Sequence, residues 1–248
     1  MKIRLDKLLS SNGFGSRREI KRMLKGCSLR VNGAVCADPS AAVDPESDRF
    51  EIDGQPLVIR TSVYLMLNKP AGVVTSTDDP GHETVMDLLP APWSRMELFP
   101  VGRLDVDTEG LLVITNDGPL THRLTSPRTG VDKTYYARLR DPVDESRLDE
   151  YRAKFLSGVT FRDGYTCLPA RLERAGAEAD GMLLTIQEGK YHQVKKMFIA
   201  AGNEVAYLKR VSMGSLVLDP ALAAGACREL TPEELCSLRG QTEEIDAD

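Results

Sequence analysis

The sequence predicts an α+β protein of two domains, and three observations carry that prediction. The chain has 248 residues, a length that suits two modest domains. Short apolar runs rich in branched residues, each closed by Gly, Pro or Asn-Asp turn chemistry, recur along it between a few segments of helical spacing. Charge is also segregated. Residues 1–36 hold nine Lys or Arg against two acids, a local +7, which leaves −12 for the rest of a chain whose total is −5.

Composition excludes several classes. With 42% hydrophobic and 28% charged residues the chain is that of an ordinary globular protein. No apolar stretch approaches the ~20 residues that span a bilayer. The start, MKIRLDKLLSSNG, lacks the apolar core of a secretory signal. Cys27, Cys36, Cys167, Cys227 and Cys236 are scattered and form no CxxC pair, so reduced thiols and a cytoplasmic location are expected. His82, His122 and His192 are not at ligand spacing, and no metal site is expected.

In chain order, Ile3 to Leu9 has the spacing of a short amphipathic helix, broken by Ser10 to Gly15. Ser16 and Glu19 form a possible capping box for a helix over Arg17 to Lys25 that buries Ile20, Met23 and Leu24. Its other face carries Arg17, Arg18, Lys21, Arg22 and Lys25. Two short strands flank the tight Asn32-Gly33 turn, and another strand is expected at Phe50 to Ile52. Residues 55–62 read as a linker.

Val63 to Leu67 reads as a strand ending at the Asn68–Gly72 turn, and Glu83 to Leu89 as a helix. Leu111 to Thr115 is a buried strand, closed by Asn116-Asp117-Gly118. Strands are expected at Lys133 to Leu139, Gly158 to Phe161, Cys167 to Leu172, Met182 to Ile186, Val205 to Val211 and Ser215 to Leu218. Helices are expected over Pro142 to Phe155 and Tyr191 to Ala201, and from Thr231-Pro232 onward.

The stretch PVGRLDVDTEGLLVITNDG, Pro100 to Gly118, packs three acids and one arginine into a turn that runs into a core strand. A solvated acidic turn and a loop that holds a reactive group rigidly are both compatible with that pattern. GRLDVDTEGLL resembles the active-site motif of the pseudouridine synthases, in the branch that includes the ribosomal small-subunit enzyme. LNKPAGVVTSTDD, KTY at Lys133–Tyr135 and HQVKKMF at His192–Phe198 resemble further motifs of that branch. RLDKLLSSNGFGSRREIKRMLKGCSLRVNG is similar to the S4 RNA-binding domain. The likeness runs from Arg4 to about Leu235.

The resemblance implies an S4 domain at residues 1–60, a catalytic domain with a mixed, largely antiparallel sheet flanked by helices at 61–238, and a polar tail at 239–248. Asp105 would be the catalytic carboxylate, either attacking C1′ or accepting the 2′-proton along a glycal route. Tyr135 would pack on the target uracil, and Lys195 would pair with Asp105. Leu208 and Arg210 match a later motif that lies against the base. Arg103 would hold the flipped nucleotide or simply pair with Asp107 or Glu109. Arg4, Lys7, Arg17, Arg18, Lys21 and Lys25 would contact phosphates. Lys69 is assigned no catalytic part and His192 at most faces RNA.

Isomerising uridine to pseudouridine needs no cofactor, because atoms and electrons balance within the nucleotide. The expected partner is 16S rRNA or the assembling small subunit, with a uridine of the 516 type as target and the enzyme a monomer. The alternatives are 23S rRNA or tRNA as substrate, or an S4-domain binding factor without catalysis.

Overall fold

The computed structural model describes residues 2–176 and 179–243. The chain divides into two compact units. One takes in the chain up to Val63 together with Met86–Phe99, and the other takes in Tyr64–Val85 and the chain from Pro100 onward.

In the first unit, β1 (Ile3–Arg4) pairs with β4 (Ala42–Val43), and α1 (Leu5–Ser11) packs on α2 (Arg17–Met23). The helix begins two residues later than the spacing suggested, because Ile3 and Arg4 are drawn into backbone pairing with Val43 and Ala42. The capping box is present: the Glu19 amide donates to Ser16 Oγ at 3.3 Å and the Ser16 amide to Glu19 Oε2 at 2.7 Å. β2 (Leu29–Val31) and β3 (Ala34–Val35) form the hairpin, with both Asn32 (φ 52°) and Gly33 (φ 81°) left-handed, as a two-residue turn requires. β5 (Phe50–Ile52) turns at Asp53-Gly54 into β6 (Gln55–Leu57), so the first residues of the expected linker belong to the sheet. Leu5, Leu8, Leu9, Ile20, Leu24, Leu29, Val43 and Phe50 make the core.

The second unit is built on a mixed sheet. Its strands are β7 (Tyr64–Lys69), β8 (Phe99–Pro100, at the junction of the units), β9 (Glu109–Thr115), β10 (Lys133–Leu139), β11 (Arg171–Arg174), β12 (Gly181–Ile186), β13 (Val205–Met213), β14 (Leu216–Val217) and β15 (Cys227–Glu229). The order is β11-β12-β10-β13-β9-β7-β15, with β14 on β13 and β8 on β9. The pairs along that path are antiparallel except β13 with β9. Leu111, Leu112, Val113 and Ile114 are all fully buried, which is why β9 reads as a continuous apolar run rather than an alternating one. The parallel pair depends on Gly110, at φ +101°, where an added Cβ would lie 2.2 Å from the Arg210 carbonyl oxygen.

Among the described residues, four α-helices complete this unit: α3 (Gly118–Thr125), α4 (Glu145–Leu156), α5 (Gln193–Ala200) and α6 (Pro232–Glu243). Leu120 and Leu124 of α3 and Leu238 of α6 share a core with Met66, Leu111, Val113 and Met213. Tyr151 and Phe155 of α4 meet Phe198 of α5 through edge-on ring contacts at 6.3 and 5.3 Å.

Several expectations are corrected. Asp117 does more than close a strand: its carboxylate accepts the Leu120 amide at 2.9 Å and caps α3. Glu83 to Leu89 is not a helix, because Thr84 bridges to Val74 and the chain then turns. Gly158 to Phe161 contributes only the isolated Thr160–Thr166 bridge. The segment expected to be a polar tail is helical as far as Glu243, and residues 244–248 lie outside the described residues.

Candidate active site

Asp105 stands on the loop Gly102–Thr108 just ahead of β9, and the loop is fastened from beneath. Lys69, at the end of β7, is fully buried. Its ammonium donates to the carbonyls of Pro70 (3.0 Å), Asp105 (3.2 Å), Val106 (3.3 Å) and Thr108 (3.1 Å). The Thr75 hydroxyl donates to the Leu104 carbonyl at 2.8 Å and accepts the Leu104 amide at 3.2 Å, and the Gly72 amide donates to Val106. The LNKPAGVVTS stretch therefore works as a clamp on the loop. Burial pushes the Lys69 ammonium down to about 8, against the opposing pull of Asp107, Asp105 and Glu109. No sequence periodicity marks this role, because three of the four acceptors lie 36 to 39 positions away.

A second support holds the loop that leads into α5. Glu188 is buried, and its carboxylate accepts from the Leu168 amide (2.9 Å), Gln193 Nε2 (2.7 Å) and the Tyr165 hydroxyl (2.5 Å). Gln193 in turn accepts the Lys190 amide at 2.9 Å. His192 adopts a left-handed backbone (φ 53°), so α5 starts at Gln193, and Tyr191 and His192 precede the helix they were expected to join.

These supports bring Asp105 and Lys195 together. Lys195 Nζ lies 3.7 Å from Asp105 Oδ2 and donates a 2.5 Å hydrogen bond to Asp107 Oδ1. One ammonium thus serves two carboxylates, and its hydrogen bond goes to the second. That bond holds the Asp107 carboxyl below its ordinary range. His192 Nε2 is 3.6 Å from Asp105 Oδ1, closer than its expected part as an RNA-facing residue implied.

Tyr135 lies on β10 and is 8% exposed. It is opposite Arg210 on β13, two places from Leu208, so all three share one face of the sheet. Tyr136 points the other way and meets the Tyr207 ring at 6.2 Å. One cleft is lined by Arg103, Asp105, Tyr135, Ile186, His192 and Leu208, among others. Arg103 does not pair with Asp107 or Glu109: Asp107 bonds to Lys195, and Glu109 accepts the Tyr207 hydroxyl at 2.7 Å. Arg210 is buried, and its Nε donates to the Leu111 carbonyl at 2.8 Å.

Of the S4-type cations, Lys7, Arg17, Arg18, Lys21 and Lys25 are exposed in the first unit. Arg4 differs from them, because its guanidinium is held in a two-point pair by the buried Asp6 at 3.0 and 2.8 Å. Among the described residues, no group of three or more His, Cys, Asp or Glu is placed to hold a metal ion.

A loop carboxylate and a strand tyrosine lining one cleft, an ammonium from α5 3.7 Å from that carboxylate, and a basic helix–hairpin unit at the start of the chain fit an enzyme that modifies RNA. A family model described as RNA pseudouridylate synthase matches residues 63–200, and a model described as S4 domain matches residues 3–49. The chain belongs to the RNA pseudouridylate synthase family and carries an S4 domain at its N-terminus. It is similar to an uncharacterized RNA pseudouridine synthase of Bacillus subtilis, with 46% identity covering 94% of this chain and 97% of that one. Ribosomal small subunit pseudouridine synthase A of Pseudomonas aeruginosa is 42% identical, covering 95% and 100%, and that of Escherichia coli K12 is 41% identical with the same coverage. A solved structure described as a pseudouridylate synthase superposes with a TM-score of 0.66 at 37% identity, covering 95% of this chain and 99% of that one.

Proposed function

We propose that this enzyme isomerises one uridine of 16S rRNA, of the 516 type, to pseudouridine, with Asp105 as the catalytic carboxylate. The observation that carries the reading is Asp105 in the cleft lined by Tyr135 and Leu208, with Lys195 Nζ 3.7 Å from its carboxylate. The small-subunit names of relatives 41–42% identical over nearly the whole chain support the substrate.

A uridine in folded RNA must leave its stack before its sugar can be reached. Tyr135 and Leu208 offer an apolar seat for the extruded base, and Arg103 at the rim holds the flipped nucleotide. Asp105 then acts at C1′ or on the 2′-proton while the N1–C1′ bond breaks, the uracil turns over, and C5 joins C1′. The C5 proton departs and N1 ends protonated, so no atom is gained or lost. Lys195, 3.7 Å away, offers a positive charge to the carboxylate before it reacts. The S4 domain, residues 1–60, docks on the RNA backbone through Lys7, Arg17, Arg18, Lys21 and Lys25, with Arg4 in support, and 61–238 carries out the chemistry. The enzyme works as a monomer in the cytoplasm, on rRNA or on the assembling subunit.

Carbodiimide mapping with primer extension, on 16S and 23S rRNA from cells that lack the protein, tests this. One 16S stop should vanish, return with the wild-type gene and stay absent with Asp105→Asn. A lost 23S stop would replace the substrate and keep the reaction. No change in either rRNA would leave tRNA, or binding without catalysis.

A further inference from the structure

Beside the cleft lies a second concavity that shares Arg103, Tyr135, Gly189 and Lys190 with it and adds Lys133 and Arg210. Four cations line it, and no carboxylate does among the described residues. Lys133 and Arg210 are 5% and 2% exposed, and each repels the other. Burial and that repulsion together push the Lys133 ammonium down to about 8. Arg210 uses Nε on the Leu111 carbonyl, but its Nη2 is buried with no hydrogen-bond partner. Lys133 donates to the Val131 carbonyl at 3.0 Å, which occupies one of three protons. Asp132, the acid whose charge reaches Lys133, is engaged by Gln187 at 3.0 Å. Two buried cations with unused donors and no paired acid are costly, and a ligand that completes the site removes the cost.

We propose that this concavity is an oxyanion subsite that takes a backbone phosphate of the RNA beside the target uridine, held by Lys133 and Arg210 below and by Arg103 and Lys190 at the mouth. The proposal rests on the function proposed above. Because the subsite shares Tyr135 and Arg103 with the cleft, an occupied phosphate sets the position of the adjoining nucleotide as its base reaches Asp105. The planar guanidinium and the ammonium suit tetrahedral oxygens by their geometry.

The test uses the full-length protein and 16S rRNA fragments in which single linkages around the target carry an uncharged methylphosphonate. One linkage should raise Kd about tenfold in the wild type, the loss of one charge-assisted contact, while its neighbours change it less than twofold. Lys133→Met should raise Kd similarly and respond no further to that linkage. In a separate arm without RNA, inorganic phosphate at fixed ionic strength should raise the unfolding temperature of the wild type and not of Lys133→Met. Equal response at every linkage overturns the proposal, as does phosphate stabilisation with no coupled linkage, which would mark the subsite as one for free phosphate. Should Lys133→Met fail to fold, the linkage scan on the wild type still decides. Absence of pseudouridine formation on any fragment counts against the function above, while the phosphate arm still reads the subsite.

Discussion

Lys69 shows how much a single buried charge can organise. Its ammonium meets four carbonyls, three of them on the Asp105 loop, and among the described residues no acid lies in direct contact with it. Lys69→Met should fill the space but leave those carbonyls without donors, with a cost on the order of 3 kcal/mol. Pseudouridine formation should fall further than RNA affinity, since the carboxylate is misplaced while the docking surface is intact; single-turnover rates beside Kd would check this. The same residue has a pH signature. With the folded value near 8 against an ordinary 10.5, the unfolded chain holds the extra proton between those limits, so stability rises with pH across that window. Lys133 adds to the slope in the same direction. Unfolding temperatures from pH 7 to 10.5 should show a shallower rise in Lys69→Met than in the wild type, and an equal rise would refute the assignment.

At the scale of elements, the parallel contact of β9 with β13 is where the two halves of the sheet join, and Gly110 permits it. Gly110→Ala should separate the strands and pull Arg210 from Leu111, with a loss on the order of 3 kcal/mol. Gly33→Ala is the matched control: it also has positive φ but nothing within 4 Å of an added Cβ, and should cost about 1 kcal/mol. Denaturant midpoints of the two variants would separate steric from purely conformational cost.

The strands were legible where side-chain chemistry is local. β9, β10 and β12 stand out through branched and aromatic runs, and the capping box of α2 through Ser16 and Glu19. Asp117 was legible in principle, since an Asp before Gly-Pro is also a helix start, but Asn-Asp-Gly reads first as a turn. Glu83 to Leu89 was not, because its backbone is satisfied by Val74 and its own turn rather than by a helix. The Asp105–Lys195–Tyr135 constellation came from motif resemblance; charge and periodicity alone left an acidic turn, a basic helix and a strand unconnected. The sharing of Lys195 with Asp107, the Glu188 anchor and the Lys69 clamp are tertiary facts with no local signal.

At the scale of the whole molecule, the chain does not pass from one unit to the other once. It leaves the first unit after Val63, re-enters it for Met86–Phe99 and leaves again at Pro100. Within that unit Arg95 of the returning segment lies against Gly13, and the Ser10 hydroxyl donates to Glu97 at 3.4 Å. Removal of residues 1–60 should therefore leave the sheet of the second unit folded while the 86–99 segment becomes sensitive to protease. Mass spectrometry of a limited digest would show the first cuts there. Cuts spread evenly through the sheet would sink the idea.

The S4 domain is thus no detachable tag on a finished enzyme. Recombination that swapped in another binding module at residue 60 would orphan a stretch of chain that lies more than twenty residues downstream, and that stretch runs directly into the loop bearing Asp105. A lineage that altered its RNA address would have to do so by substitution within both segments together, so that address and chemistry are inherited as one unit.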